Sequence, residues 1–318
     1  MTLRAGFIGA GDRSQNAHYP NVNRLDDVEM SGVCELDEGR LDQVVDKYGF
    51  KQVYTNHQEM LEKVDPDIVY CVMHERWLLQ PALDCLNAGK HVFIEKPPGK
   101  NSKETQMLLD AAIANNVYCM VGYQRRHSAI TREAMRRVKE KGPVSTVVAT
   151  FNKQLLGDSA RTFSTTLWDD VTHIVDLVRF MAGGEPIEVT AYRDKFGSDH
   201  RNCYTALIRF DNGVTGTIFG NRASGGRVIR SELHGVGIGC YMKIPGEIEI
   251  YEDNAQNVMG GWEVDGVAEE DTYKYEGTYT MHQHFIESIQ NGTMPNSDLR
   301  DVIHTIKLVD EIEGTLNP

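Results

Sequence analysis

Cysteine is sparse and scattered in this chain: Cys34, Cys71, Cys85, Cys119, Cys203 and Cys240 never form Cys-x-x-Cys. That spacing argues against a zinc knuckle or a disulfide scaffold and for reduced, buried thiols. No apolar run approaches the roughly 20 residues of a membrane span, and the opening residues reach a glycine turn before a signal-like apolar region is complete. A cytoplasmic protein without a membrane partner is expected. Basic residues are also in deficit, 33 Lys and Arg against 46 Asp and Glu, for a formal charge of -13. Neutralising a phosphate backbone needs clustered cations, so a nucleic-acid partner is not expected either. A local basic pocket for one small anion stays compatible with that charge.

What is present is an ordinary globular composition, 41% apolar and 25% charged. At 318 residues the chain exceeds the length at which one core usually stops growing, which predicts two domains. Through residue 122, short apolar runs at Leu3–Ile8, Val28–Cys34, Ile68–Val72, His91–Ile94 and Val117–Val121 alternate with helical patterns. Parallel strands require crossovers, so this order predicts a Rossmann-type doubly wound parallel sheet in residues 1–122. Residues 123–318 read differently, with a helical pattern near Ile130–Lys141, a strand near Val144–Asn152, a helical pattern at Asp169–Met181 and then six strand-like runs. Asp211-Asn212-Gly213 between two of those runs is a hairpin signal. The second domain is therefore expected to be α+β with a large, mostly antiparallel sheet, and its C-terminal helix can pack back on the first.

Gly9-Ala10-Gly11-Asp12-Arg13-Ser14 follows the first strand directly and opens a helix, with Ser14 in place of the third glycine of G-x-G-x-x-G. Such a loop lets the backbone approach a pyrophosphate, whose charge meets free N–H groups and the helix dipole. All six residues are cofactor-binding candidates. Glu35 ends the second strand, where a carboxylate can accept both ribose hydroxyls and repel a 2′-phosphate, favouring NAD over NADP. The competing reading leaves Glu35 a solvated strand end and gives Arg13 the adenine or a 2′-phosphate. Glu95-Lys96-Pro97 falls at the C-terminal end of a sheet strand, the edge where open α/β sheets bind ligands.

With the glycine loop, Glu95-Lys96-Pro97, Gly122-Tyr123-Gln124-Arg125-Arg126 and Asp169-Asp170-Val171-Thr172-His173-Ile174-Val175-Asp176 in this order, the chain resembles the Gfo/Idh/MocA family of NAD(P)-dependent sugar and cyclitol oxidoreductases. The resemblance spans nearly the whole length. It implies that Glu95 and Lys96 border the nicotinamide, that Lys96 positions substrate, and that His173, four residues after Asp169, is the general acid/base. An ammonium beside a reacting hydroxyl stabilises a developing alkoxide, and imidazole suits proton transfer near neutral pH, with a carboxylate to orient it. The resemblance also implies a carbohydrate-like substrate and a homodimer or homotetramer through the second-domain sheet.

On a regular helix Asp169, His173 and Asp176 fall within about 60 degrees of one another. They would form one polar stripe beside the apolar Ile174, Leu177, Val178 and Met181. Spacing alone would fit a solvated face better, and it is the resemblance that favours the catalytic reading. Departures from the family pattern lie at Val171, where glycine is common, at Pro98, and in Val72-Met73-His74-Glu75-Arg76-Trp77-Leu78. These surround the substrate mouth, so the resemblance carries the cofactor further than the substrate. Gln124 and Arg125 are substrate-contact candidates by resemblance, and Trp168 is either a sugar platform or a core anchor. His282-Gln283-His284 looks metal-like, but i and i+2 side chains on a helix point apart, and no metal is expected. Two other activities fit the same family likeness: a regulator that binds dinucleotide without turnover, and a glycosidase that works by transient oxidation with held NAD.

Overall fold

The computed structural model describes residues 2–156 and 165–315. They form two compact units, one from residues up to Gly122 with Thr278–Ile303, the other from Tyr123–Gly277 with the residues from His304 onward.

The first unit holds six parallel strands, β1 (Leu3–Ile8), β2 (Val28–Cys34), β3 (Val53–Tyr54), β4 (Ile68–Cys71), β5 (His91–Ile94) and β6 (Cys119–Val121), in the order β3-β2-β1-β4-β5-β6. Helices Glu38–Tyr48, His57–Val64, Glu75–Asn87 and Ser102–Ala114 make the crossovers. Their starts are written locally. Asp37, Asn56, His74 and Asn101 each precede a helix and accept an N–H of its first turn, filling a donor the helix leaves open. The strand order reverses between β1 and β4, which is where such sheets bind ligands.

Two features of this unit depart from the sequence reading, which assigned residues 123–318 to the second domain and allowed only its C-terminal helix to pack back. β3 and the helix after it escape because two residues are too short for any periodicity. The segment Thr278–Ile303, expected in the second domain, joins the first. β6 is an edge strand whose N–H groups need acceptors: Asp298 accepts Cys119 N–H at 2.9 Å and the Ser297 carbonyl accepts Val121 N–H at 2.9 Å.

The second unit carries an eight-stranded sheet in the order β14-β13-β12-β11-β7-β10-β9-β8. Its strands are β7 (Val144–Gln154), β8 (Pro186–Asp194), β9 (Cys203–Phe210), β10 (Thr215–Asn221), β11 (Ala223–Gly235), β12 (Ile238–Lys243), β13 (Glu247–Glu252) and β14 (Ala255–Gly260). Every pairing is antiparallel except β10 with β7. Asp211-Asn212-Gly213 turns β9 into β10, with Gly213 at φ 87°. β9 alternates buried and exposed side chains along its length, as a sheet covered on one face must. Helices Ala129–Lys141 and Thr172–Ala182 cover the buried face. β14 was not expected: its Ala255-Gln256-Asn257-Val258 run is exposed and carries no alternation. Among the described residues no helix is long and apolar enough to cross a membrane.

Candidate active site

The glycine loop sits at the strand-order reversal of the first unit. Gly9 has φ 101°, and a Cβ there would stand 2.3 Å from the Val72 carbonyl oxygen, so only glycine lets β1 turn this close to the end of β4. Ser14 replaces the third glycine and closes the turn itself, its hydroxyl donating to the Gly9 carbonyl at 2.7 Å, where the Tyr19 hydroxyl also donates at 2.8 Å. Asp12 and Arg13 are exposed, and a Cβ added at Gly11 would meet no atom within 4 Å. The loop thus presents backbone to open space ahead of a helical turn, the form a pyrophosphate requires. That turn, Ser14–His18, is a π-helix, a conformation that is rare outside functional segments.

Glu35 is fixed beside the loop. One carboxylate oxygen accepts Ala10 N–H at 2.8 Å, and the other accepts Leu36 N–H at 2.8 Å and Asp37 N–H at 3.2 Å. Arg13 turns the other way and donates its Nε to Glu95 at 2.7 Å, so the loop arginine is tied to the end of β5. Glu95 is buried and also accepts from His18 Nε2 at 2.7 Å and from Lys96 N–H at 3.1 Å. Burial alone would raise its pKa, but Arg13, His18 and Lys96 outweigh that and hold the carboxyl well below its usual range. It is a carboxylate at any working pH. Lys96 follows two residues after β5 ends and is half-buried. On the neighbouring edge His74 caps its helix, Arg76 stacks on the Trp77 ring at 4.7 Å, and that ring is 63% exposed.

In the second unit Asp169 belongs to a π-helical turn, Leu167–Val171, and His173 to the regular helix Thr172–Ala182 that continues it. The change of winding breaks the expected stripe. His173 is buried with its ring edge-on to Tyr123 at 6.0 Å, and Tyr123 and Thr172 share a hydroxyl hydrogen bond of 2.8 Å. Asp169 accepts from Arg222 at 3.2 Å, and Asp170 takes the same guanidinium at 2.6 Å with Lys153 at 3.1 Å. Asp176 leaves the stripe altogether. It is buried, accepts Nε of Arg126 at 2.8 Å in a two-pronged pair, and accepts the Thr305 hydroxyl at 3.1 Å. The apolar neighbours Ile174, Leu177, Val178 and Met181 are buried as expected.

Gln124 is half-buried, and buried Arg125 stacks over Phe151 at 5.7 Å, in the short turn Gln124–His127. Trp168 is buried, as an anchoring aromatic is. Lys96 lies in the first unit and His173 in the second. The sequence reading passed over Arg222, Lys153 and His18. The first two pair with their acids from outside the helix, Lys153 from the end of β7 and Arg222 from the turn between β10 and β11, and the only local hint of His18 is its place in the turn that follows the glycine loop.

Val171, where the resemblance leads one to expect glycine, has a physical account. Across from it on β10 lies Gly220, where a Cβ would stand 2.7 Å from a Val171 methyl carbon. Gly220→Ala should push on the turn that precedes His173 and destabilise the chain by about 1–3 kcal/mol. Val171→Ala in the same chain should recover most of that loss. Thermal melts of the two single variants and the double variant check this, and additive losses would contradict it.

A parallel sheet with a glycine turn at its switch point and a fixed acid after β2 is the arrangement of a dinucleotide-binding domain. The chain belongs to the Gfo/Idh/MocA family: residues 3–123 match "Oxidoreductase family, NAD-binding Rossmann fold" and residues 132–237 match the "GFO/IDH/MocA C-terminal domain". It is 24% identical to a 4-carboxy-2-hydroxymuconate-6-semialdehyde dehydrogenase of Sphingobium sp., with 99% of each chain covered. Similar again, at 24% identity over 69% of each chain, is a myo-inositol 2-dehydrogenase of Thermotoga maritima. Among solved structures, a dehydrogenase from Chromobacterium violaceum shares the fold at a TM-score of 0.89 and 18% identity, over 99% of this chain and 95% of that one.

Proposed function

We propose that this NAD-dependent oxidoreductase moves a hydride between nicotinamide and a hydroxyl or keto carbon of a sugar, cyclitol or related polyol. The observation that carries the reading is the joint presence of a lysine just past β5 and a buried histidine at the start of the helix on the second sheet, in a family of dehydrogenases. The residues present fit the cofactor: the open Gly9–Ser14 loop would hold its pyrophosphate and Glu35 its adenine ribose, with Glu95 and Lys96 at the nicotinamide end. NAD, when bound, supplies or accepts the hydride. His173 accepts or returns the hydroxyl proton, Asp169 orients it, and the Lys96 ammonium stabilises the alkoxide oxygen. Gln124 and Arg125 contact the substrate. Trp168 anchors the segment that carries Asp169.

A panel of aldoses, inositols, amino sugars and their keto forms tests the reading, together with the semialdehyde acted on by the Sphingobium relative. Absorbance at the NADH band should report net turnover on a polyhydroxylated member. Sugar cleavage without net NADH would replace the dehydrogenase by a transient-oxidation glycosidase, and cofactor binding with no turnover would leave a regulator.

Glu35 supports NAD over NADP, because its carboxylate, held in place by three backbone N–H groups, would face a 2′-phosphate. Fluorescence titration should give tighter NAD than NADP binding, and Glu35→Ala should narrow the gap; equal or tighter NADP binding by the parent chain would sink the assignment.

The outer face of the second sheet supports a homodimer or homotetramer. Strand register places Tyr192, Phe219, Leu207, Tyr241 and Val258 on that one face, each exposed by 39% or more. Sedimentation showing a monomer at micromolar concentration would remove this proposal. Six free thiols, five of them buried, support a cytoplasmic setting, and recovery of the native protein from an oxidising compartment would count against it.

A further inference from the structure

The histidines of His282-Gln283-His284 separate in the fold. His284 Nε2 accepts Asn296 N–H at 3.0 Å. His282, on the helix Thr278–Asn291, points into the core of the first unit and is 0% exposed. There its Nε2 lies 3.0 Å from Nδ1 of His18, whose other ring nitrogen is 2.7 Å from Glu95 Oε1. The same oxygen receives Arg13 from the glycine loop, and its partner oxygen receives the Lys96 N–H. One carboxylate therefore joins the loop, the end of β5 and a helix that lies far along the chain.

With His18 neutral, the hydrogens along these bonds have one consistent arrangement. A carboxylate oxygen only accepts, so His18 Nε2 carries a hydrogen. Burial lowers the His18 pKa against the opposing pull of Glu95, so the ring is neutral near pH 7 and its Nδ1 accepts. His282 Nε2 must then donate. Phe93 and Tyr70 wall the His282 ring, with centroids 4.9 and 5.3 Å away. A leucine would suit that aromatic pocket for packing. What the imidazole adds is the donor.

We propose that His282 is a positioning residue for the NAD site: by donating to His18 it fixes the tautomer that holds the Glu95 carboxylate, and through Glu95 it sets Arg13 of the glycine loop and the backbone of Lys96. The proposal rests on the NAD reading of the first unit. The geometry assigns His282 no contact with the cofactor; it acts through Glu95, and the buried hydrogen bonds between them transmit its orientation.

NADH is the probe. Fluorescence titration of the full chain should show His282→Leu weakening NADH binding by about tenfold, the scale of one lost buried hydrogen bond. His282→Gln, whose amide can still donate, should restore most of that affinity. A purely packing role predicts the opposite ranking, because leucine fills an apolar pocket better than glutamine. The proposal fails if His282→Leu binds NADH as the wild type does, or if His282→Gln binds no better than His282→Leu while both melt cooperatively. Nitrogen NMR of the imidazoles in the wild-type chain gives a reading that needs no variant to fold. His18 should be the neutral Nε2–H tautomer at pH 7 with a hydrogen on Nε2 of His282, and a His18 protonated at Nδ1 would overturn the proposal. A wild-type chain that binds no NADH would overturn the cofactor reading itself, a result distinct from variants that bind alike.

Discussion

His173→Ala should lower turnover of the substrate that the panel identifies by about 10² to 10⁴-fold, the usual contribution of a general acid/base, while NAD affinity stays nearly unchanged. Lys96→Ala should lose about 10² to 10³-fold in the same assay, as removal of one alkoxide-stabilising donor does. The separation of effects follows from where the residues sit. In the proposed site the dinucleotide would rest on the Gly9–Ser14 loop and Glu35, which neither substitution alters, whereas Lys96 lies just past β5 and His173 is buried against Tyr123. Steady-state kinetics with a separate cofactor titration check this. A loss in kcat and kcat/KM together, with unchanged cofactor binding, is the signature of groups that act in the transition state. A loss below about tenfold for His173→Ala would move proton transfer to another residue.

The second large effect concerns stability. Arg126 and Asp176 form a two-pronged ion pair, both buried, with the Thr305 hydroxyl on the carboxylate and the Phe180 ring 4.9 Å from the guanidinium. Asp176→Leu leaves a buried guanidinium without its counter-charge and should destabilise the chain by about 3–5 kcal/mol. For a unit of this size that is a fall in Tm on the order of 10 °C. Replacing both partners by apolar residues, as in Arg126→Met with Asp176→Leu, should recover a large part of the loss, since breaking such a pair costs more than removing it. Calorimetry on the single and double variants decides the matter. A double variant no more stable than Asp176→Leu would mean that the pair contributes through its geometry rather than its charge balance.

The parts of the fold that could be read from the sequence are those whose cause is local. Unbroken apolar strands, capped helices and the Gly9–Ser14 turn each depend on neighbours within a few residues, so the six-stranded sheet and its ligand edge were legible apart from the two-residue β3. Asn212-Gly213 marked its hairpin for the same reason. What escaped was set by distant partners. His18 meets Glu95 across 77 residues and His282 across 264, and no spacing rule connects such positions. Asp176 shares a helix with His173 but is drawn inward by Arg126, 50 residues earlier, so a stripe drawn on a regular helix misplaced it. The π-helical turn before His173 and the close approach of Val171 to Gly220 likewise depend on how that helix packs on β10. The return of Thr278–Ile303 to the first unit answers an unpaired edge of β6, a need that is visible only once the sheet is built.

The central claim, that the chain catalyses net hydride transfer to and from a carbinol carbon, is tested most directly with NADH carrying deuterium at both positions of nicotinamide C4 and the keto form of the best substrate in the panel. Mass spectrometry of the product should show one deuterium gained at the new carbinol carbon for each NADH consumed. A product without label, formed with no change in NADH, would contradict it.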